Sequence, residues 1–95
     1  MQDKVQEIIS KINKGNYFDS HYVIDTLIRD YSDDYLRYAA GNVLDSDFGV
    51  TEHLHTKIAK IIASFEGTLL RRQSDYSHSY NIRGKASTCV LWERI

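Results

Sequence analysis

The chain has 95 residues, 42% of them hydrophobic and 26% charged, and a formal net charge of −1. These values are ordinary for a globular protein, so they exclude wholesale disorder and predict one domain over residues 1–95. The single cysteine, Cys89, excludes an internal disulfide and suits a reducing cytoplasm. There is no apolar run of about 18 residues and no signal-like N-terminus, so we expect a cytoplasmic protein that does not enter a membrane.

The charges are distributed unevenly along the chain. Residues 1–50 carry five Lys and Arg against nine acids, a net charge of −4, whereas residues 51–95 carry seven against four, a net charge of +3. A basic half beside an acidic half is typical of a domain with one face turned to a polyanion. A charge of +3 over 45 residues is also common in soluble domains, so charge alone does not show that the protein binds a polyanion.

The first predicted element is an amphipathic helix over residues 2–13. Val5, Ile8, Ile9 and Ile12 recur at the spacing of one helical face. Next, Asp19 or Ser20 is the expected N-cap of a second helical region, with Phe18 as a hydrophobic staple.

Residues 20–40 fit either one kinked helix or two helices. We favour two, because Ser32, Asp33 and Asp34 form a second capping signal and acids stabilise a first turn. Residues 41–50 are predicted to be a loop with apolar anchors, namely Val43, Leu44, Phe48 and Val50. Asp45 and Asp47 resemble the start of a calcium loop, but the other ligand positions are missing, so no metal is expected there.

The central element is a helix over residues 51–65, with Thr51 as its cap and Gly67 at its end. Its core face carries Leu54, Ile58, Ile61, Ile62 and Phe65. Strands are predicted over residues 68–73 and 86–94, paired as a two-stranded hairpin, with residues 73–85 as its long polar tip.

Three to four short helices, the last strongly amphipathic, followed by Gly and a hairpin, resemble the winged helix-turn-helix superfamily. The stretch HLHTKIAKIIASFEGTLLRR resembles the third helix of that superfamily running into its first wing strand. The resemblance implies an α+β winged-helix fold and a transcriptional regulator that binds double-stranded DNA. It also implies a homodimer, because a palindrome is read by two copies of so small a module.

The same resemblance implies that the central helix enters the major groove while the strand and wing contact phosphates or a minor groove. The nucleic-acid-binding residues would then be His53, His55, Thr56, Lys57, Lys60, Arg71, Arg72, Arg83 and Lys85. One difference is the long segment 41–50, where the family has a tight turn.

Other chemistry is weakly indicated. His53 and His55 point about 200° apart on a helix, so they cannot chelate one ion. Cys89 in an apolar strand is interpreted as a core residue, and the polar cluster of the tip as turn-forming residues: Ser74, Asp75, Ser77, His78 and Ser79. There is no glycine-rich phosphate loop. We therefore expect no enzyme activity, no cofactor and no metal.

Tyr76, Tyr80, Arg83 and Lys85 interleave aromatic rings with positive charge. The mixture suits single-stranded nucleic acid, a protein interface, or tyrosines packed back on the body of the domain. The alternative function is a protein–protein interaction module of the phage or mobile-element accessory type, with an acidic, tyrosine-rich docking surface over residues 19–38.

Overall fold

The computed structural model describes residues 1–41, 50–80, 84 and 86–95, and for residues 50–53 the backbone alone. It is an α+β structure, as predicted. The elements in chain order are α1 (Gln2–Lys11), β1 (Tyr17–Phe18), α2 (Ser20–Asp30), α3 (Ser32–Gly41), α4 (Val50–Ala63), β2 (Leu70–Tyr80) and β3 (Ala86–Arg94). The predicted loop anchors Val43, Leu44 and Phe48, the Asp45 and Asp47 pair, and Arg83 and Lys85 lie outside the described residues.

The helices begin and end close to the predicted positions. α1 is two residues shorter than expected, because Ile12 adopts an extended conformation and its N–H bonds the carbonyl of Ile9. The prediction of two helices over residues 20–40 is confirmed, and so is the cap, since the Tyr22 N–H donates to the Asp19 carboxylate at 3.0 Å. α4 begins at Val50, so the prediction of Thr51 as its N-cap is wrong.

The sheet has three antiparallel strands in the order β1-β3-β2, not the two that were predicted. The added strand is two residues long and pairs Tyr17 with Glu93 and Phe18 with Trp92. A two-residue strand has no alternation pattern, and its partners lie some 75 positions further along the chain, so local sequence gives no sign of it.

The first hairpin strand is also longer than predicted. β2 continues to Tyr80 through residues interpreted as a polar tip, because β3 supplies backbone partners as far as Ala86. The register shifts between Arg72 and Tyr76, which marks an irregularity in the ladder. The turn-forming interpretation of Ser74, Asp75, Ser77, His78 and Ser79 is therefore wrong.

One buried cluster joins three helices and the sheet. Leu54, Ile58 and Ile62 of α4 are buried as predicted, while Ile61 is only partly buried at the edge of the core. α3, every residue of which is described, has no fully buried side chain. The cluster consists of Val5, Ile8, Ile9, Phe18, Val23, Ile24, Leu27, Leu54, Ile58, Ile62, Phe65, Leu70 and Trp92.

Arg94, at the end of β3, forms hydrogen bonds with α1 and with the turn that follows it. Its side chain is buried, and Nε donates to the Ile9 carbonyl at 3.1 Å. Its backbone bonds Gly15 and Asn16 at 2.7 and 2.9 Å. Gly15 has a φ of 89°, a conformation that a residue without a Cβ adopts without strain.

No helix within the described ranges is long and apolar enough to cross a bilayer.

Candidate nucleic-acid interface

The residues that α4 exposes to solvent can be identified from those that it buries in the core. Leu54, Ile58 and Ile62 face the core, which leaves Thr56 and Lys60 exposed to solvent. Lys57 and His55 are half-buried on the flanks, and the side chain of His53 lies outside the described part. In the part of the helix whose side chains are described, the outer side is a narrow polar stripe that includes the exposed Lys60.

His55 is directed toward a neighbouring helix. Its Nε2 lies 2.9 Å from the phenol oxygen of Tyr35 on α3. The half-buried imidazole therefore has a structural partner within the domain.

Arg71 and Arg72 lie at successive positions of β2, so their side chains leave opposite faces of the sheet. Arg71 Nη1 is 3.4 Å from Glu93 Oε1. Arg72 lies over the Trp92 ring, 4.9 Å from its centroid, with Nε 3.8 Å from Glu66 Oε2. The two arginines do not converge on one surface.

The distal half of β2 exposes aromatic rings. Tyr76 and Tyr80 are 62% and 73% exposed, so the interpretation that they pack back on the body of the domain is wrong. His78 lies between them in the strand, exposed, with Nδ1 3.3 Å from the Thr88 hydroxyl. Alternate residues of a strand share a face, so the three rings form one exposed row.

A second group of polar side chains lies where α2 meets the hairpin. The hydroxyls of Ser77 and Ser79 donate to Asp19 Oδ2 at 2.6 and 2.8 Å. His21 Nδ1 forms a short hydrogen bond with the Ser79 hydroxyl and lies 3.9 Å from Cys89 Sγ. We call these five residues the Asp19 cluster.

Burial and hydrogen bonding set the charge states within the Asp19 cluster. Burial acts to raise the pKa of the Asp19 carboxyl, but hydrogen bonds from Ser77, the Tyr22 N–H and Ser79 outweigh it and hold the pKa below its ordinary value. Burial, reinforced by the charge of Asp19, raises the pKa of the Cys89 thiol. Cys89 is only partly buried and is not among the fully buried core residues where the sequence placed it.

The sequence identified single members of this cluster but not their association. Asp19 is visible as a cap, and Ser77 and Ser79 share a face once the strand is known. However, the two serines are 58 and 60 residues from Asp19, and no local pattern singles out His21. Tertiary pairing alone brings them together.

An open groove of about 510 Å3 lies beside the cluster. Asp19 and Ser77 form part of its wall, together with the aromatic rings of Tyr17 and Tyr22. Solvent therefore reaches the edge of the Asp19 cluster through the groove.

Comparisons of the chain with protein-family models, with curated proteins and with solved structures found no match.

Proposed function

We propose that the chain is a winged helix-turn-helix DNA-binding module, with α4 as the helix that enters the major groove and the β2–β3 hairpin as the wing. The observation that carries the proposal is the order and placement of these elements. α4 is buried along one face, and a short turn containing Gly67 leads from it into a long antiparallel hairpin. The third strand, β1, extends the base of this hairpin sheet.

The exposed side chains of α4 suit contact with a duplex. Lys60 is an exposed cation that suits a phosphate, and Thr56, one turn earlier, is a second exposed polar residue on the same side of the helix. Lys57 is half-buried on the flank of the helix. The half-buried His55 contributes by fixing α4 against α3, a positioning role.

The ion pairs of Arg71 and Arg72 are compatible with phosphate binding. Exposed ion pairs contribute only about 0–1 kcal/mol, so a phosphate can replace Glu93 or Glu66 at small cost. Arg71 is 67% exposed in its pair and Arg72 is 49% exposed. Since the two arginines leave opposite faces of β2, one of them faces the duplex in any single orientation.

The net charge of −1 sets an expectation for affinity. Neutralisation of backbone phosphates supplies most non-specific binding, so few cations mean weak binding with a shallow dependence on salt concentration. A second copy on a palindromic site would raise the affinity, which is why we propose a homodimer on DNA.

The test is a fluorescence-anisotropy titration of a labelled random duplex pool at several salt concentrations. We expect binding at low salt that weakens as salt increases. The double variant Lys60→Gln, Arg71→Gln should reduce the slope of log affinity against log salt concentration by about one per lost phosphate contact. The matched control Lys14→Gln, Arg29→Gln removes two exposed cations elsewhere and should bind like the unmodified protein. Absence of binding at low salt, or equal loss in both double variants, would contradict the proposal.

A second candidate is a protein–protein interaction module, and one observation favours it. α3 carries Asp33 and Asp34 in its first turn and exposes 61% of Leu36. An exposed leucine beside acids suits a basic partner with an apolar pocket. If the module binds no DNA, Leu36→Glu should abolish capture of such a partner, while Tyr76→Ser on the hairpin should leave it unchanged.

A further inference from the structure

We propose that the Asp19 cluster is a binding site for a divalent zinc-like metal ion, with Asp19, His21 and Cys89 as its ligands. The proposal does not depend on DNA binding. One ligand atom from each of the three residues lies within 4.8 Å of the other two. Asp19 and His21 lie at the beginning of α2 and Cys89 lies in β3, so two separate elements hold the ligands.

The distance between two of the ligand atoms, His21 Nδ1 and Cys89 Sγ, is close to that required by a tetrahedral ion. Zn–S and Zn–N bonds of about 2.3 and 2.0 Å at a tetrahedral angle place the two ligand atoms about 3.5 Å apart. His21 Nδ1 and Cys89 Sγ are 3.9 Å apart. Closing that gap requires a shift of a few tenths of an ångström, which side-chain rotation supplies.

The mixture of donor atoms indicates the class of metal. A thiolate and an imidazole favour Zn2+ over Mg2+ or Ca2+, which prefer oxygen ligands alone. Three protein ligands leave a fourth position for water, and the groove beside Asp19 gives access to it.

The surroundings of Asp19 orient its carboxylate as a ligand requires. Ser77 donates to Oδ2 and the Tyr22 N–H donates to Oδ1, a kind of support that metal-binding carboxylates usually have. The Ser79 hydroxyl now bonds both Asp19 and His21, and a metal ion would take over this bridging position. The partial positive charge at the N-terminus of α2 disfavours a bound cation. The negative charge of the Asp19 carboxylate offsets this repulsion.

The same residue types also suggest a cysteine nucleophile, which the raised pKa of the Cys89 thiol disfavours. A nucleophilic cysteine needs a lowered thiol pKa, whereas burial and the Asp19 charge raise that of Cys89. A divalent ion removes the obstacle, because it compensates the carboxylate and binds the thiolate with release of a proton.

The test uses the full chain without a polyhistidine tag, stripped with chelator and titrated with Co2+ and then Zn2+. We expect one Co2+ per chain, a thiolate-to-cobalt charge-transfer band, visible bands of four-coordinate intensity, and loss of all bands on adding equimolar Zn2+. Since Cys89 is the single cysteine, the charge-transfer band reports on it alone.

Variants separate this site from adventitious binding. Cys89→Ser should abolish the charge-transfer band, and His21→Gln should weaken Zn2+ binding at least about 10-fold. Ser77→Ala should weaken it about 10-fold while keeping the band, as expected for a positioning residue. His78→Gln removes an exposed imidazole from the same hairpin and should change nothing. Circular dichroism confirms that each variant folds. Absence of the band in the unmodified chain, or binding lost in His78→Gln but kept in His21→Gln, would overturn the proposal.

Discussion

Tyr35 on α3 and His55 on α4 share a hydrogen bond of 2.9 Å between the phenol oxygen and Nε2, with ring centroids 6.1 Å apart. α3 has no fully buried side chain, so this contact helps to hold the helix on its neighbour. The Tyr35 phenol is protonated at neutral pH and can donate to the imidazole, and burial raises its pKa further above the ordinary value.

Replacing this phenol tests how α3 is attached. We expect Tyr35→Phe to lower the free energy of unfolding by about 0.5–1.5 kcal/mol, the usual contribution of one hydrogen bond. Tyr76→Phe, which changes an exposed phenol, should stay within about 0.5 kcal/mol of the unmodified protein. Urea denaturation followed by circular dichroism measures both, and equal effects would contradict the assignment.

The phase of α4 is tested at Ile58, which has no exposed surface. Ile58→Ala should cost about 2–5 kcal/mol through lost burial and the cavity left behind. Ile58→Asp should prevent folding, because an unpaired carboxylate would have to enter the core. Lys60→Glu on the exposed side should fold normally. A cooperative, near-normal thermal transition for Ile58→Asp would show that Ile58 does not face the core and that the assigned buried face of α4 is wrong.

Asp19 joins α2 to the hairpin, and its removal should cost more than the loss of a helix cap. A cap alone contributes about 0.5–2 kcal/mol, and Asp19→Ala also leaves Ser77 and Ser79 without their acceptor. We expect a loss of about 2 kcal/mol or more, measured with chelator present so that metal does not contribute.

Asp19→Asn keeps an oxygen acceptor for the cap and is the matched comparison for Asp19→Ala. Its side-chain NH2 replaces Oδ2, the atom that accepts from Ser77 and Ser79, so this variant should keep the cap and lose the bonds to the hairpin. The stability lost in Asp19→Asn therefore measures the bonds to the hairpin, and no loss in that variant would show that they contribute nothing.

Glu7 gives a prediction about pH. The hydrogen bond from the Tyr31 hydroxyl, 3.0 Å long, lowers the pKa of this carboxyl below its ordinary 4.5, and Lys11 adds to the effect. A lowered pKa stabilises the folded state above the pKa of the unfolded chain, and the contribution is lost as pH falls below 4.5 through the folded value. NMR titration should show a Glu7 pKa below 4.5 that increases in Tyr31→Phe. An unchanged value in that variant would exclude Tyr31 as the main cause.

The helices were predictable because each has its apolar residues at helical spacing. Val5, Ile8 and Ile9 mark α1, and Leu54 and Ile58 mark α4, without reference to the rest of the chain. The cap at Asp19 is equally local.

The sheet was only partly predictable, because pairing is decided between distant segments. Ser77 and Ser79 have turn-forming composition, yet they lie in a strand since β3 supplies backbone partners. Tyr17 and Phe18 form a strand only against the end of β3. The Asp19 cluster depends on both pairings, so it was not visible in the sequence.

The position of Arg94 has a consequence for synthesis of the protein. Its guanidinium bonds the end of α1, and its backbone bonds Gly15 and Asn16, so a residue near the end of the chain completes a structure begun by the first helix. While the ribosome is still translating β3, α1 can pack against α2 and α4 but lacks the bonds from Arg94. The core cluster is complete only after Trp92 of β3 has been translated.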